Sequence, residues 1–327
     1  MQEERYLWVS AYVQALEGQR LTWADLNQMI DAATPEDSLR VLTDRGYPPL
    51  RPDMTIVERA LREHREELLS ALSSSLPDNT ILDLFRIPYD YHNVKVALKT
   101  RWTKVDGTRL LLGGGRLEPQ SLYRALQTGE ENGLPQVLRD AAKAARETVS
   151  ATSDPQRGDL ILDRACFAEQ LFLAQRADSP FLTDYVRLLI DRANLQAAVR
   201  VLRLGTDLSL LAEALIPGGT VTPDTLLGSA RTGDLTAPWI ASLLEEAAEM
   251  GQTAKAGGSL TAFETACDAA LAYYLQRAAL IPFGPEPVLA FLAANEREQQ
   301  NIRVIVSGKL ARLPSDTIRE RVGGSYG

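Results

Sequence analysis

Pro180-Phe-Leu-Thr-Asp-Tyr-Val-Arg-Leu-Leu-Ile-Asp-Arg-Ala-Asn-Leu-Gln-Ala-Ala-Val-Arg-Val-Leu-Arg-Leu-Gly205 reads as one helix with its own start and stop. Proline suits the first helical position, because its φ is already set and its missing N–H has no use in the first turn. Glycine suits the end, where it enters the left-handed conformation without a Cβ clash. Between them Ile190, Ala197, Ala198 and Val201 share one face at helical spacing. Asn194 stands in the middle of that apolar face. A buried amide is costly unless it is hydrogen-bonded, so the spacing predicts a buried Asn with dedicated partners.

The same frame occurs twice more. Pro88 is expected to open a helix carrying Asp90, His92, Asn93, Val94 and Lys95 towards Gly107. Pro285 or Pro287 is expected to open another, with Glu298, Asn301, Ile302 and Arg303, stopping near Gly308. Each centre reads acid-x-x-Asn-apolar: Asp90/Asn93/Val94, Asp191/Asn194/Leu195 and Glu298/Asn301/Ile302. The period of roughly 100 residues exceeds that of tetratricopeptide or HEAT arrays and points to triplication at the scale of whole units.

A second set of matches agrees. Leu117–Glu130 aligns with Val221–Asp234 without a gap, pairing Pro119 with Pro223 and Thr128-Gly129 with Thr232-Gly233. Leu21 and Leu26 fit the same frame more weakly, and Leu162-Asp-Arg-Ala-Cys166 parallels Phe263-Glu-Thr-Ala-Cys267. A first helix over 3–18, with Tyr6, Val9, Val13 and Leu16 inward, precedes the first unit. The expected division is 1–112, 113–217 and 218–327, with Gly113-Gly114-Gly115 and Gly218-Gly219 as joints and 323–327 as a frayed end. Period-2 alternation is hardly found, so the fold class is all-α.

Composition narrows the function. The chain has 327 residues, 45% apolar and 24% charged, with net charge −8. An acidic balance argues against a nucleic-acid partner, and no run is long and apolar enough to span a bilayer. The start, Met1-Gln-Glu-Glu-Arg5, lacks the basic and apolar parts of a signal peptide, so a cytosolic protein is expected. Cys166 and Cys267 read as core thiols, and two histidines, His64 and His92, do not build a His-rich metal site. Glu118 stands where a dinucleotide fingerprint from Gly113 needs glycine. Before Gly308-Lys309 a Walker loop fails in the same way, at Arg303, and Leu310 replaces its Ser/Thr. No catalytic residue, metal or cofactor is expected.

Two readings of the acid-x-x-Asn centre compete. As a structural device, acid and amide lie on nearly one helix face and anchor a neighbouring loop or helix end. As a functional one, they line a surface that grips a partner. The apolar surroundings favour the structural reading. The stretch 297–321 is basic, with Arg297, Arg303, Lys309, Arg312, Arg319 and Arg321 against Glu298, Asp316 and Glu320. It fits either an acidic partner or a solvated helix face.

Asp90-Tyr-His-Asn-Val-Lys95 resembles the Asp-x-His-Asn-Leu-Lys element of the family of C subunits of V/A-type ATPases (ATP synthases), counterparts of the eukaryotic d subunit. Asp191-Arg-Ala-Asn-Leu195, Glu296-Arg-Glu-Gln-Gln-Asn-Ile-Arg303 and the ending Gly308-Lys309…Leu313-Pro314…Ile318-Arg319-Glu320-Arg321 resemble it too. The first helix fits its opening, with Tyr12 and Gln14 where arginines are common. The resemblance implies three similar helical domains around a pseudo-threefold axis, forming a funnel. It implies a non-catalytic rotor part on the cytoplasmic face, between the central-shaft subunits and the membrane proteolipid (c) ring. The alternatives are a cytosolic helical scaffold or adaptor and, behind it, a hydrolase whose site is assembled from distant residues.

Overall fold

The computed structural model describes residues 2–177, 179–205 and 207–322; the end expected to fray, 323–327, lies outside them. Among the described residues every regular element is helical. In chain order these are α1 (Gln2–Glu17), α2 (Trp23–Asp31), α3 (Pro35–Asp44), α4 (Met54–Ser73), α5 (Thr80–Thr103), α6 (Pro119–Thr128), α7 (Gln136–Thr152) and α8 (Pro155–Arg176). There follow α9 (Pro180–Leu204), α10 (Leu208–Ala214), α11 (Pro223–Thr232), α12 (Glu245–Lys255), α13 (Leu260–Gln276), α14 (Pro285–Leu310) and α15 (Ser315–Val322). They group into two compact units, one made of residues 1–78 with 259–327, the other of 79–258.

In the first unit, the beginning and the end of the chain share one core. Leu26, Met29 and Ile30 of α2 and Leu39 and Leu42 of α3 pack with Val57 and Leu61 of α4, Ile302, Ile305 and Val306 of α14, and Ile318 and Val322 of α15. The cations of 297–321 are largely engaged within this unit. Arg297 pairs with Asp268 at 3.1 Å, Arg303 with Glu58 at 2.9 Å and Arg319 with Asp31 at 2.6 Å. The helix expected to stop near Gly308 ends at Leu310; Gly308 itself lies inside its last turn, where a Cβ would meet the Ile318 side chain at 2.7 Å. Its role is close helix approach, not termination.

In the second unit α8 is the spine. Its pairs with α5 run in opposite order, Lys95–Asp163, Lys99–Asp159 and Tyr91–Glu169, so the two helices are antiparallel. α9 begins at Pro180, just after α8 ends, and packs back along it. α5 and α9 therefore run parallel, with their carboxyl ends at the same end of the unit.

α9 spans Pro180–Leu204 with Gly205 left-handed at φ 62°, as its punctuation predicts. α5 departs from expectation: Pro88 is in its interior, and the helix starts at Thr80. Proline leaves the carbonyl four residues back without its helical donor. That carbonyl, of Leu84, is taken by Nε2 of the buried Gln170 on α8 at 2.7 Å. A neighbouring side chain repairs the break, so the helix continues. Gln170→Leu is expected to cost about 1–3 kcal/mol by leaving the carbonyl bare. Adding Pro88→Ala, which returns the N–H, should recover most of that loss in chemical unfolding.

Candidate functional site

Two of the three acid-x-x-Asn centres hold main chain through both acid and amide, and the third through its acid alone. On α5, Asp90 Oδ1 accepts from the N–H of Arg116 at 3.0 Å and of Leu117 at 3.2 Å. Asn93 donates through Nδ2 to the Leu112 carbonyl and accepts from the Leu112 N–H through Oδ1, both at 2.8 Å. An amide side chain thus treats the loop as a strand neighbour would, satisfying both main-chain groups of one residue. The gripped segment leads directly into α6.

On α9, Asp191 accepts from the N–H of Thr220 at 3.0 Å and of Val221 at 3.2 Å, and from the Thr220 hydroxyl. Asn194 bonds both main-chain groups of Ile216 at 2.8 Å. This segment leads into α11. On α14, Glu298 accepts from the Leu21 N–H at 2.8 Å, just ahead of α2. Asn301 is buried, but its Nδ2 has no partner among the described residues. The third clamp has fewer hydrogen bonds and ties the far end of the chain to its beginning.

All three carboxyls are buried. Burial pushes Asp191 and Glu298 above the ordinary carboxyl range, opposed first by the Thr220 hydroxyl on Asp191 and by the Leu21 N–H on Glu298. Burial also raises Asp90, opposed first by Arg116, whose Nε lies 2.8 Å from Oδ2. Arg116 continues to Glu169 at 2.6 Å, which accepts from the Tyr91 hydroxyl at 3.0 Å.

The other positions singled out in the sequence hold neighbouring elements. His92 Nε2 lies 3.0 Å from the Leu110 carbonyl, and Lys95 pairs with Asp163 at 2.5 Å. Arg303 grips both oxygens of Glu58, and Lys309 donates to the Ala32 carbonyl at 2.8 Å, where α2 ends. Each centre is a local joint, and Lys95, Arg303 and Lys309 act away from the gripped segments. Among the described residues no group of three His, Cys, Asp or Glu side chains is placed to hold a metal ion. Burial pushes the Cys166 thiol up to about 12, which leaves it protonated and inert.

Two residues read only as joints belong to the clamps. A Cβ at Gly115 would run into Asp90 Oδ1, and one at Gly219 into Asp191 Oδ1. Both stand two residues before the aligned Leu117 and Val221, a coincidence visible in the sequence. The corresponding residue before Leu21 is Gln19. Glu298 has one more methylene and reaches its N–H without demanding a glycine there.

The model of the ATP synthase (C/AC39) subunit family matches residues 9–321. The chain belongs to that family. Among similar proteins, the C subunit of the V-type sodium ATPase of Enterococcus hirae is 27% identical over 275 residues, 82% of either chain. The C subunit of the A-type ATP synthase of Halorubrum lacusprofundi is 29% identical over 248 residues, covering 72% of this chain and 71% of the relative. The C subunit of the V-type ATP synthase of Thermus thermophilus is 23% identical over 327 residues, covering 97% and 98%. The C/AC39 subunit is a structural part of a rotary ATPase complex and not a catalytic one. Among the described residues no helix is long and apolar enough to cross a membrane.

Two measurements check the clamps. Gly115→Ala and Gly219→Ala should each cost about 1–3 kcal/mol in chemical unfolding through overpacking, with Gln19→Ala near neutral. Asp191 has a raised folded-state pKa, so the native state holds its proton more tightly than the unfolded chain. Its contribution to stability is fully present below the ordinary carboxyl pKa and falls as pH rises through the folded value. The stability advantage of the wild type over Asp191→Asn should therefore shrink with rising pH.

Proposed function

We propose that this C/AC39 subunit is the rotor part that links the central-shaft subunits to the membrane proteolipid (c) ring. On this reading it transmits torque between ATP turnover and ion movement, held peripherally on the cytoplasmic side by the complex. The proposed organisation is three similar helical units, 1–112, 113–217 and 218–327, around a pseudo-threefold axis in a funnel.

The observation that carries this reading is the recurrence of one clamp. Asp90/Asn93 and Asp191/Asn194 each tie a long helix to the segment that opens the next repeat. Glu298 does the same for the segment before α2, so the last repeat returns to the first. Buried hydrogen bonds between helix and linker favour a stiff body, and a torque-bearing part must not yield at its joints. Family membership supports assembly with other subunits of the complex.

The decisive experiment reconstitutes the complex with and without the chain and measures ATP hydrolysis together with ion pumping. Hydrolysis should persist without the chain while pumping falls to background. Pumping that survived its removal would show that it is not the link between shaft and ring.

A further inference from the structure

The carboxyl ends of α5 and α9 share one end of the second unit, and that end exposes aliphatic side chains. Val105 is 66% exposed, Leu110 63% and Leu204 75%. The α5 loop holding the first two is pinned at its base by His92 on the Leu110 carbonyl and by Asn93 on both main-chain groups of Leu112. A pinned loop that presents apolar side chains to water calls for something to cover them.

Charge says what. Residues 99–112 carry Lys99, Arg101, Lys104 and Arg109 against Asp106, in a chain of net charge −8. The acids at this end stay ionised, and two of the five are closely answered by cations. Asp106 accepts from the Thr108 N–H, Asp207 from that of Ser209, and Asp154 from that of Gln156. Asp159 pairs with Lys99 at 2.6 Å and Glu213 with Arg157 at 3.0 Å. Helix ends attract cations without any partner, but that does not account for the exposed Val105 and Leu110 on the same stretch. Aliphatic tips flanked by long cationic side chains suit the headgroup layer of an anionic membrane, where the apolar groups dip in and the cations stay among phosphates.

We propose that this end of the second unit, with Val105 and Leu110 at its tip and Lys104 and Arg109 beside them, contacts an anionic lipid surface. The contact needs neither the ring nor the shaft, so it stands or falls separately from the rotor reading.

The test is sedimentation of the full chain with vesicles of phosphatidylcholine alone and of phosphatidylcholine with a third phosphatidylglycerol, at low and physiological salt. Partitioning onto the anionic vesicles should exceed that onto neutral ones about tenfold and weaken with salt. Val105→Asp with Leu110→Asp, and separately Lys104→Glu with Arg109→Glu, should each lower it about tenfold. Leu280→Asp, at an 84% exposed site in the first unit, should leave it unchanged. All these positions are exposed, and circular dichroism confirms folding of each variant. Equal binding to both vesicle types, no binding, or tip variants that bind like the wild type would overturn the proposal. So would tip variants that lose assembly with the proteolipid ring while the wild type ignores vesicles, because the surface would then be a protein contact.

Discussion

Burying a carboxylate and an amide one helical turn apart is costly unless their hydrogen-bonding capacity is met. In Asp90/Asn93 and Asp191/Asn194 it is met by the main chain of the following linker, through hydrogen bonds of 2.8 to 3.2 Å. The dependence runs both ways. The side chains need the linker, and the linker's N–H and C=O groups, which lack helical partners, need the side chains. Everything nearby follows from that mutual requirement. The backbone must come close enough that Gly115 and Gly219 have no room for a Cβ, and the path then delivers the chain to Pro119 or Pro223 at the start of the next helix.

The joints differ in ways that their chemistry explains. Asp90 has a guanidinium beside it, and Arg116 carries the charge on to Glu169 and so to α8. Asp191 has the Thr220 hydroxyl at the equivalent place, and the charge of Arg187 acts on it without a hydrogen bond. Glu298 makes a single main-chain bond, with Arg20 more distant at 3.7 Å. The third joint sits beside the core of the first unit. Ile302, Ile305 and Val306 share a core with Leu21, Leu26 and Ile30, and α15 adds Ile318 and Val322. The tail is thus part of the first unit's core, and its cations fasten it to Asp31, Glu58 and the end of α2.

Much of this was legible in the sequence because it rests on periodicity and punctuation. The all-helical class, the span of α9 and the inward face of the three asparagines follow from apolar spacing around a polar residue. What was not legible depends on partners distant in the chain. Pro88 looks like a helix start, since nothing near it announces Gln170 as the donor that rescues the Leu84 carbonyl. Gly308 looks like a stop, since only the fold brings Ile318 against it. Gly115 and Gly219 read only as joints between units, whereas the fold uses them to let a carboxyl group approach and hold the backbone. Membership of the C/AC39 family was carried by motifs at all three joints and by the ending.

Residue-resolved amide hydrogen exchange of the folded chain tests most directly whether the buried acid–amide pairs fix the linkers. The amides of Leu112, Arg116, Leu117, Ile216, Thr220 and Val221 lie outside every helix, yet they should exchange as slowly as amides inside α5 and α9. Exchange of these amides at the rate of the exposed loop around Val105 would contradict the account, because the linkers would then be held by nothing stronger than solvent.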